Sequence, residues 1–158
     1  MTTTDGGRVT STVGMFYGRA RGAELGNVIN TAHDALRLAD DIGADNVSIH
    51  LDTYDMNIEE DDLVRTVHDV GDRLGYVHIG ENRGYLGSGH LDLQGFFHAL
   101  ADIRYMRPIA FESFSSAVVS PTLSNDLAIW RSLWDDGADL VRHARSHIAG
   151  LIHASQAR

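Results

Sequence analysis

The sequence has no cysteine, so it cannot form a disulfide, and any metal ligand must be an oxygen or an imidazole nitrogen. It also has no apolar run near the ~18 residues that span a bilayer, and its polar start lacks the pattern of a signal peptide. Lys and Arg total 13 against 22 Asp and Glu, without a basic cluster that could neutralise phosphates. We therefore expect a cytoplasmic protein without a membrane segment or a nucleic-acid partner.

The chain has 158 residues, a length that suits one domain with a hydrophobic core. The strands predicted within it are short and lie at intervals along the sequence. We expect residues 1–8 to be disordered, residues 9–153 to form the domain and residues 154–158 to be a tail. Strands are indicated by short apolar or alternating runs at residues 9–17, 47–51, 76–79 and 108–111.

Helices are predicted after each of these strands. An apolar stripe of 3.6-residue period covers residues 25–42, and Gly43 supplies its end. Asn57, with a glutamate three residues later, resembles a capping box that opens the next helix. A third helix is predicted near residues 93–103, and one long or broken helix over residues 123–152. The order βαβαβαβα implies parallel strands, and because a complete α/β barrel needs about 250 residues, we predict a (βα)4 half of one.

Three of the predicted strands end in a side chain that can bind a metal. Asp52 follows the second strand, His78 lies in the third and Glu112 follows the last. Reactive groups of α/β barrels sit at the C-terminal ends of strands and on the loops that follow, so these residues are candidates for one site. A structural explanation also stays open for Asp52, because aspartate is common in strand-to-helix turns.

Other histidines and the two tryptophans are interpreted as structural. His50 lies within a strand whose polar end comes later. His143 and His147 have helical i, i+4 spacing but lack the glutamate of a zinc-protease motif, so we expect surface or core histidines. Trp130 and Trp134 lie one helical turn apart and are expected to pack the last helix rather than to stack on a sugar.

Residues 27–116 resemble the C-terminal half of the D-tagatose 3-epimerase and D-psicose (allulose) 3-epimerase group. That group belongs to the xylose isomerase-like TIM barrels, a family of sugar phosphate isomerases and epimerases. The resemblance rests on three motifs in the same order and at similar spacing: LDTYDMNIEE at residues 51–60, HIGE at residues 78–81 and FESF at residues 111–114.

The resemblance implies an isomerase of the ketose 3-epimerase type that holds one divalent cation, Mn²⁺, Co²⁺ or Mg²⁺. Such an enzyme moves a proton at the carbon beside the ketose carbonyl, through an enediolate. By this resemblance Asp52, His78 and Glu112 are metal ligands, and Glu112 is also one of two acid/base groups. Arg83 is the residue expected to hydrogen-bond the substrate oxygens.

Three positions depart from the family pattern. Asp55 stands where the family has a histidine that contacts substrate, and an ionised carboxylate accepts hydrogen bonds but cannot donate them. Leu25 stands where the other catalytic glutamate is expected, so Glu24, one residue away, is the candidate for that role. The loop that carries Arg83 is one residue shorter than the usual family loop.

The four N-terminal βα units of the family have no counterpart in this chain. A half barrel leaves two unpaired sheet edges and an uncovered interior. We therefore expect a homodimer that closes the barrel around a twofold axis, and a partner half barrel or a truncated gene product stays an open alternative. The same sequence leaves open a degenerate, catalytically inactive half barrel that serves as a sugar-binding, metal-binding or regulatory subunit.

Overall fold

The chain forms one five-stranded sheet in a computed structural model that describes residues 2–5, 8–14, 29–82 and 84–157. For the first two ranges only the backbone is described. The strands are β1 Thr2–Asp5, β2 Arg8–Gly14, β3 Val47–Asp52, β4 Leu74–Ile79 and β5 Ile109–Phe111. They lie side by side in chain order; β1 is antiparallel to β2, and β2 to β5 are parallel.

Helices connect the parallel strands and follow the last of them. They are α1 Ala32–Ile42, α2 Thr53–Glu59, α3 Leu63–Val70, α4 Leu93–Asp102, α5 Pro121–Asp126 and α6 Gly137–Gln156. A single 3₁₀ turn, Gly71–Arg73, leads from α3 into β4. Four consecutive parallel strands with helical connections make this a partial TIM barrel, as the sequence predicts.

The hydrophobic core lies between the sheet and its helices. In β3, Ile49 and Leu51 are fully buried in the core cluster, together with Val77 from β4 and Phe96 from α4. Side chains alternate along a strand, so residues 48, 50 and 52 of β3 project from the opposite face. That face is the inner face of the partial barrel, and it carries the polar side chains that build the site.

The helix predicted to open at Asn57 begins elsewhere. Asn57 lies inside α2, whose N-cap is Asp52, and the next helix, α3, is capped by Asp62. Both aspartates accept a hydrogen bond from a backbone N–H in the first helical turn, which is the stabilising role that Asn57 was expected to fill. Glu60 instead accepts from the backbone N–H of Ala32 at 2.7 Å, so it joins α1 to this region. The predicted capping box is therefore wrong.

The predicted helix over residues 123–152 is broken. Its two parts, α5 and α6, are separated by residues 127–136, and Asp136 caps the second part by accepting hydrogen bonds from two backbone N–H groups. Trp130 and Trp134 lie in the separating stretch, so they fall outside regular helix although the predicted helix spans them.

Regular elements lie near both ends of the described chain, and the predicted division into a disordered start, a domain and a tail stays a prediction. The N-terminal residues predicted to be disordered contain β1, and α6 continues to Gln156, beyond the predicted end of the domain. The first predicted strand is present as β2, whereas the start of the first predicted helix, residues 25–28, lies outside the described residues. Thr31 caps α1 in a reciprocal capping box with Asp34. Within the described residues, no helix is both long enough and apolar enough to cross a membrane.

Candidate functional site

Asp52, His78 and Glu112 meet at one edge of the sheet. Nδ1 of His78 lies 3.3 Å from Oδ2 of Asp52 and 3.4 Å from Oε2 of Glu112. The three side chains come from β3, β4 and the residue after β5. The structure thus brings together the three residues that the resemblance implies as metal ligands.

Strand register explains this convergence. Asp52 pairs with His78 between the parallel strands β3 and β4, and His78 pairs with Ala110 of β5. The backbone N–H of Glu112 donates to the carbonyl of Ile79 at 3.0 Å, so Glu112 extends the β5 pairing by one residue. Parallel strands end at the same edge, and their last side chains on the inner face therefore become neighbours.

His50 belongs to the same cluster, although the sequence interpretation treated it as a structural strand residue. Its ring meets that of His78 edge to face, with centroids 4.4 Å apart. One ligand atom from each of His50, Asp52 and His78 lies within 4.8 Å of the others. The signal was present in the sequence, because residues two apart in a strand share a face.

The His50 ring is neutral near pH 7. Burial, followed by the neighbouring His78, lowers the pKa of His50 to about 4. A neutral imidazole keeps a lone pair that can bind a metal. Its Nε2 is buried and has no hydrogen-bond partner among the residues that the structure describes.

The cluster fits a divalent cation. Burial raises the pKa of Asp52, although its carboxylate accepts a 2.8 Å hydrogen bond from the backbone N–H of Tyr54. Converging carboxylate and imidazole groups, with a buried nitrogen that lacks a described partner, match the oxygen and nitrogen ligands of Mn²⁺ and related ions. The residues present therefore suit the metal that the resemblance implies.

A cavity of about 560 Å³ opens beside this cluster and has two different walls. We call His50, Asp52, His78 and Glu112 the polar wall. The apolar wall comes from α5 and the stretch after it, and its members are Leu123, Leu127, Ala128, Ile129, Trp130 and Leu133. Such a cavity, apolar on one side with a few convergent polar groups on the other, is typical of a small-molecule site.

Further polar residues line the cavity. Asp55, the predicted substrate contact that replaces a family histidine, is among them, as are Glu81 and Arg131. The Glu81 carboxylate accepts hydrogen bonds from the backbone N–H groups of Gly87 at 2.8 Å and Leu91 at 3.2 Å. Glu81 therefore holds the loop after β4 in place. Sequence reasoning did not find Arg131, because nothing in its local pattern indicates that it faces a cavity.

Two predicted site residues, Glu24 and Arg83, lie outside the described residues, so their roles stay predictions. The histidines of α6 lie away from the cavity lining. His143 and His147 stack with ring centroids 5.8 Å apart, and Nε2 of His143 lies 2.8 Å from the carbonyl oxygen of Leu86. They are structural residues of the packed helix, as expected.

Comparison with known proteins finds one family along most of the chain. A family model described as xylose isomerase-like TIM barrel matches residues 20–144. An L-ribulose 3-epimerase from Methylomonas sp. (strain DH-1) is 52% identical over 123 residues, which are 77% of this chain and 43% of that protein. A ketose 3-epimerase from Arthrobacter globiformis is 51% identical over the same length, with the same coverage of both chains. The chain thus spans less than half the length of these relatives.

Solved structures give the same result. A structure of L-ribulose 3-epimerase superposes with a TM-score of 0.78 and 44% identity, covering 83% of this chain and 44% of its own. The D-allulose 3-epimerase from Methylomonas sp., solved in complex with D-allulose, has a TM-score of 0.74 and 51% identity. It covers 79% of this chain and 44% of its own length.

Proposed function

Because this chain belongs to the xylose isomerase-like TIM barrel family, we propose that it forms the metal-binding half of a ketose 3-epimerase. The observation that carries the proposal is the convergence of Asp52 and Glu112 on Nδ1 of His78, at 3.3 and 3.4 Å. These three residues would hold the cation, and His50 lies close enough to Asp52 and His78 to join them. The combination of carboxylate and imidazole ligands favours Mn²⁺ or Co²⁺ over Mg²⁺, which prefers oxygen ligands.

Glu112 is the proposed base. Its side chain is 43% exposed, against 11% for Asp52, so it is the carboxylate more open to the cavity. Glu112 removes the proton from carbon 3 of the ketose, which leaves an enediolate, and a second carboxylate returns a proton to the opposite face. Glu24 is the candidate for this second group. A cation bound at the polar wall would stabilise the negative charge that develops on the sugar oxygens.

Substrate contacts are proposed for two further residues. Asp55 lines the cavity and can accept hydrogen bonds from sugar hydroxyl groups. Arg83 is the proposed donor to the substrate oxygens, on the basis of the family motif. The substrate is proposed to be a ketose because the relatives are ketose epimerases and one of them was solved with D-allulose. A cytoplasmic location stays a prediction.

We propose that the active unit is completed by a second half barrel, from another copy of this chain or from a partner. Within the described residues β5 pairs on one side only, with β4. The outer edge of β2 already pairs with the antiparallel strand β1. To close a barrel of parallel strands, β1 must therefore leave the edge of β2. The proposed assembly thus requires a change in each half barrel and cannot form by docking two unchanged halves.

Hydrogen exchange at carbon 3 tests the proposed function more sensitively than turnover. The protein with Mn²⁺ is incubated with D-allulose in D₂O, and NMR follows both loss of the carbon 3 proton signal and appearance of the epimer. Exchange with epimerisation supports a complete site with two carboxylates. Exchange without epimerisation supports proton removal by Glu112 and places the defect in the second carboxylate.

The matched variants are Glu112→Gln and Glu59→Gln. Glu59 is exposed and lies outside the cavity lining, so its variant should exchange like the wild type. Glu112→Gln should lower the exchange rate by about 10²–10⁴. Absence of exchange in the wild type, together with sugar binding, would instead favour the inactive binding subunit.

A further inference from the structure

Trp130 has a large apolar side chain that is exposed to solvent on the cavity wall. It lies between α5 and α6, lines the cavity and is 69% exposed. Its neighbour Ile129 is buried, so the backbone here is packed against the protein while the indole projects away. Burying an aromatic side chain is favourable, so an indole left exposed within a cavity indicates a surface that a ligand covers.

The backbone that carries Trp130 is fixed to the polar wall. Ser115 is fully buried, and its Oγ accepts a 3.1 Å hydrogen bond from the backbone N–H of Leu133. The backbone N–H of Ser116 donates to the carbonyl of Arg131 at 3.2 Å. These serines follow Glu112 within four residues, so the position of Trp130 is set relative to the proposed base.

Within the described residues, the second tryptophan makes structural contacts that are not found for Trp130. Nε1 of Trp134 donates to Oγ of Ser113 at 3.1 Å, and the Trp134 ring packs against Gly84. Trp134 is half-buried and is absent from the cavity lining, whereas Trp130 lines the cavity. The indole of Trp134 is thus packed within the fold, whereas the indole of Trp130 is exposed on the cavity wall.

The cavity matches a molecule with one apolar face and many hydroxyl groups. A sugar has hydroxyl groups around its edge and C–H bonds on its faces. The polar wall and Asp55 can hydrogen-bond the hydroxyl groups, while an indole covers a C–H face and gives a rigid contact at low entropic cost. A purely apolar ligand would displace water from the polar wall without offering a hydrogen bond in its place, which is costly.

We propose that Trp130 stacks on a C–H face of the bound ketose and is a specificity-determining residue of the site. This inference rests on the proposed function, since it takes the ketose as the ligand. The stretch of residues 127–134 would then contact the substrate, in addition to the residues at the strand ends.

Tryptophan fluorescence and calorimetry test the inference with the Mn²⁺-loaded chain and D-allulose. The chain has two tryptophans, so Trp134→Phe leaves Trp130 as the sole indole. We expect a saturable fluorescence change in the wild type and in Trp134→Phe. Trp130→Ala should weaken D-allulose binding by about tenfold, and Trp130→Phe by less, because a smaller aromatic ring keeps part of the contact. Circular dichroism checks that each variant is folded.

The outcomes separate this inference from the proposed function. Unchanged D-allulose affinity in Trp130→Ala, with normal Mn²⁺ binding, would overturn the role of Trp130 and leave the metal site intact. A change in molecular mass by light scattering in Trp130→Ala, without a change in D-allulose affinity, would assign Trp130 to a subunit contact and overturn the inference. A wild type that binds neither Mn²⁺ nor D-allulose would overturn both proposals.

Discussion

The polar wall of the cavity is built by the ends of parallel strands, whereas most of the apolar wall is built by the stretch after α5, which has no regular structure. Sheet hydrogen bonding sets the first: Asp52 pairs with His78 across β3 and β4. Hydrogen bonds to single side chains position the second wall, as where Oγ of Ser115 accepts from the backbone N–H of Leu133. The sheet fixes the positions of side chains at strand ends. Residues of an irregular segment can be substituted without displacing those side chains. The proposed metal site and the proposed sugar contact thus lie on walls that are built in different ways.

Metal removal should give the largest effect and should act through the polar wall alone. Treatment with EDTA is expected to reduce carbon 3 exchange to the uncatalysed rate, because no cation then offsets the charge on the sugar oxygens. Added Mn²⁺ should restore it. NMR in D₂O measures the rate, and exchange that persists after complete chelation would contradict a metal-dependent site.

Replacement of His50 should give a smaller effect on the same wall. His50→Ala removes an imidazole whose ring lies 4.4 Å from that of His78, and we expect about tenfold weaker Mn²⁺ binding. His143→Ala is the matched control, since that ring lies on α6, outside the cavity lining. Calorimetry measures both affinities. Equal Mn²⁺ affinity in the two variants would restrict the ligand set to Asp52, His78 and Glu112.

Ser115→Ala should affect the apolar wall and leave the polar wall unchanged. The variant removes the acceptor for the Leu133 backbone N–H, and we expect the free energy of unfolding to fall by about 1 kcal/mol. Mn²⁺ affinity should stay at the wild-type value. Urea denaturation and calorimetry make the two measurements, with Ser116→Ala as the control. A parallel loss of Mn²⁺ affinity would show that the two walls are coupled.

The difference between the walls also explains what the sequence could predict. Asp52, His78 and Glu112 were found because strand length, alternation and strand-end position are local patterns in the chain. His50 was interpreted as structural, although the same alternation places it beside Asp52 and His78. Trp130 was assigned to a helix because its distance from the next tryptophan matches one helical turn.

Competing local caps and tertiary contacts decided the features that the sequence patterns missed. The cap expected at Asn57 failed because Asp52 and Asp62 begin the two neighbouring helices. The break before α6 is accompanied by the Asp136 cap and by hydrogen bonds that Leu133 and Trp134 donate to serines far back in the sequence, Ser115 and Ser113. Such long-range pairs have no periodic signal. Propensity and spacing therefore predicted the strands and their ends better than the irregular stretch between α5 and α6.

Calorimetric titration of the chain with Mn²⁺ tests most directly whether the strand ends form a metal site. The wild type should bind about one ion, and Asp52→Asn should weaken binding by at least about tenfold, because it removes a ligand charge beside His78. Asp69→Asn, an exposed aspartate of α3, should bind like the wild type. No Mn²⁺ binding by the folded wild type, or equal binding by Asp52→Asn, would contradict the account.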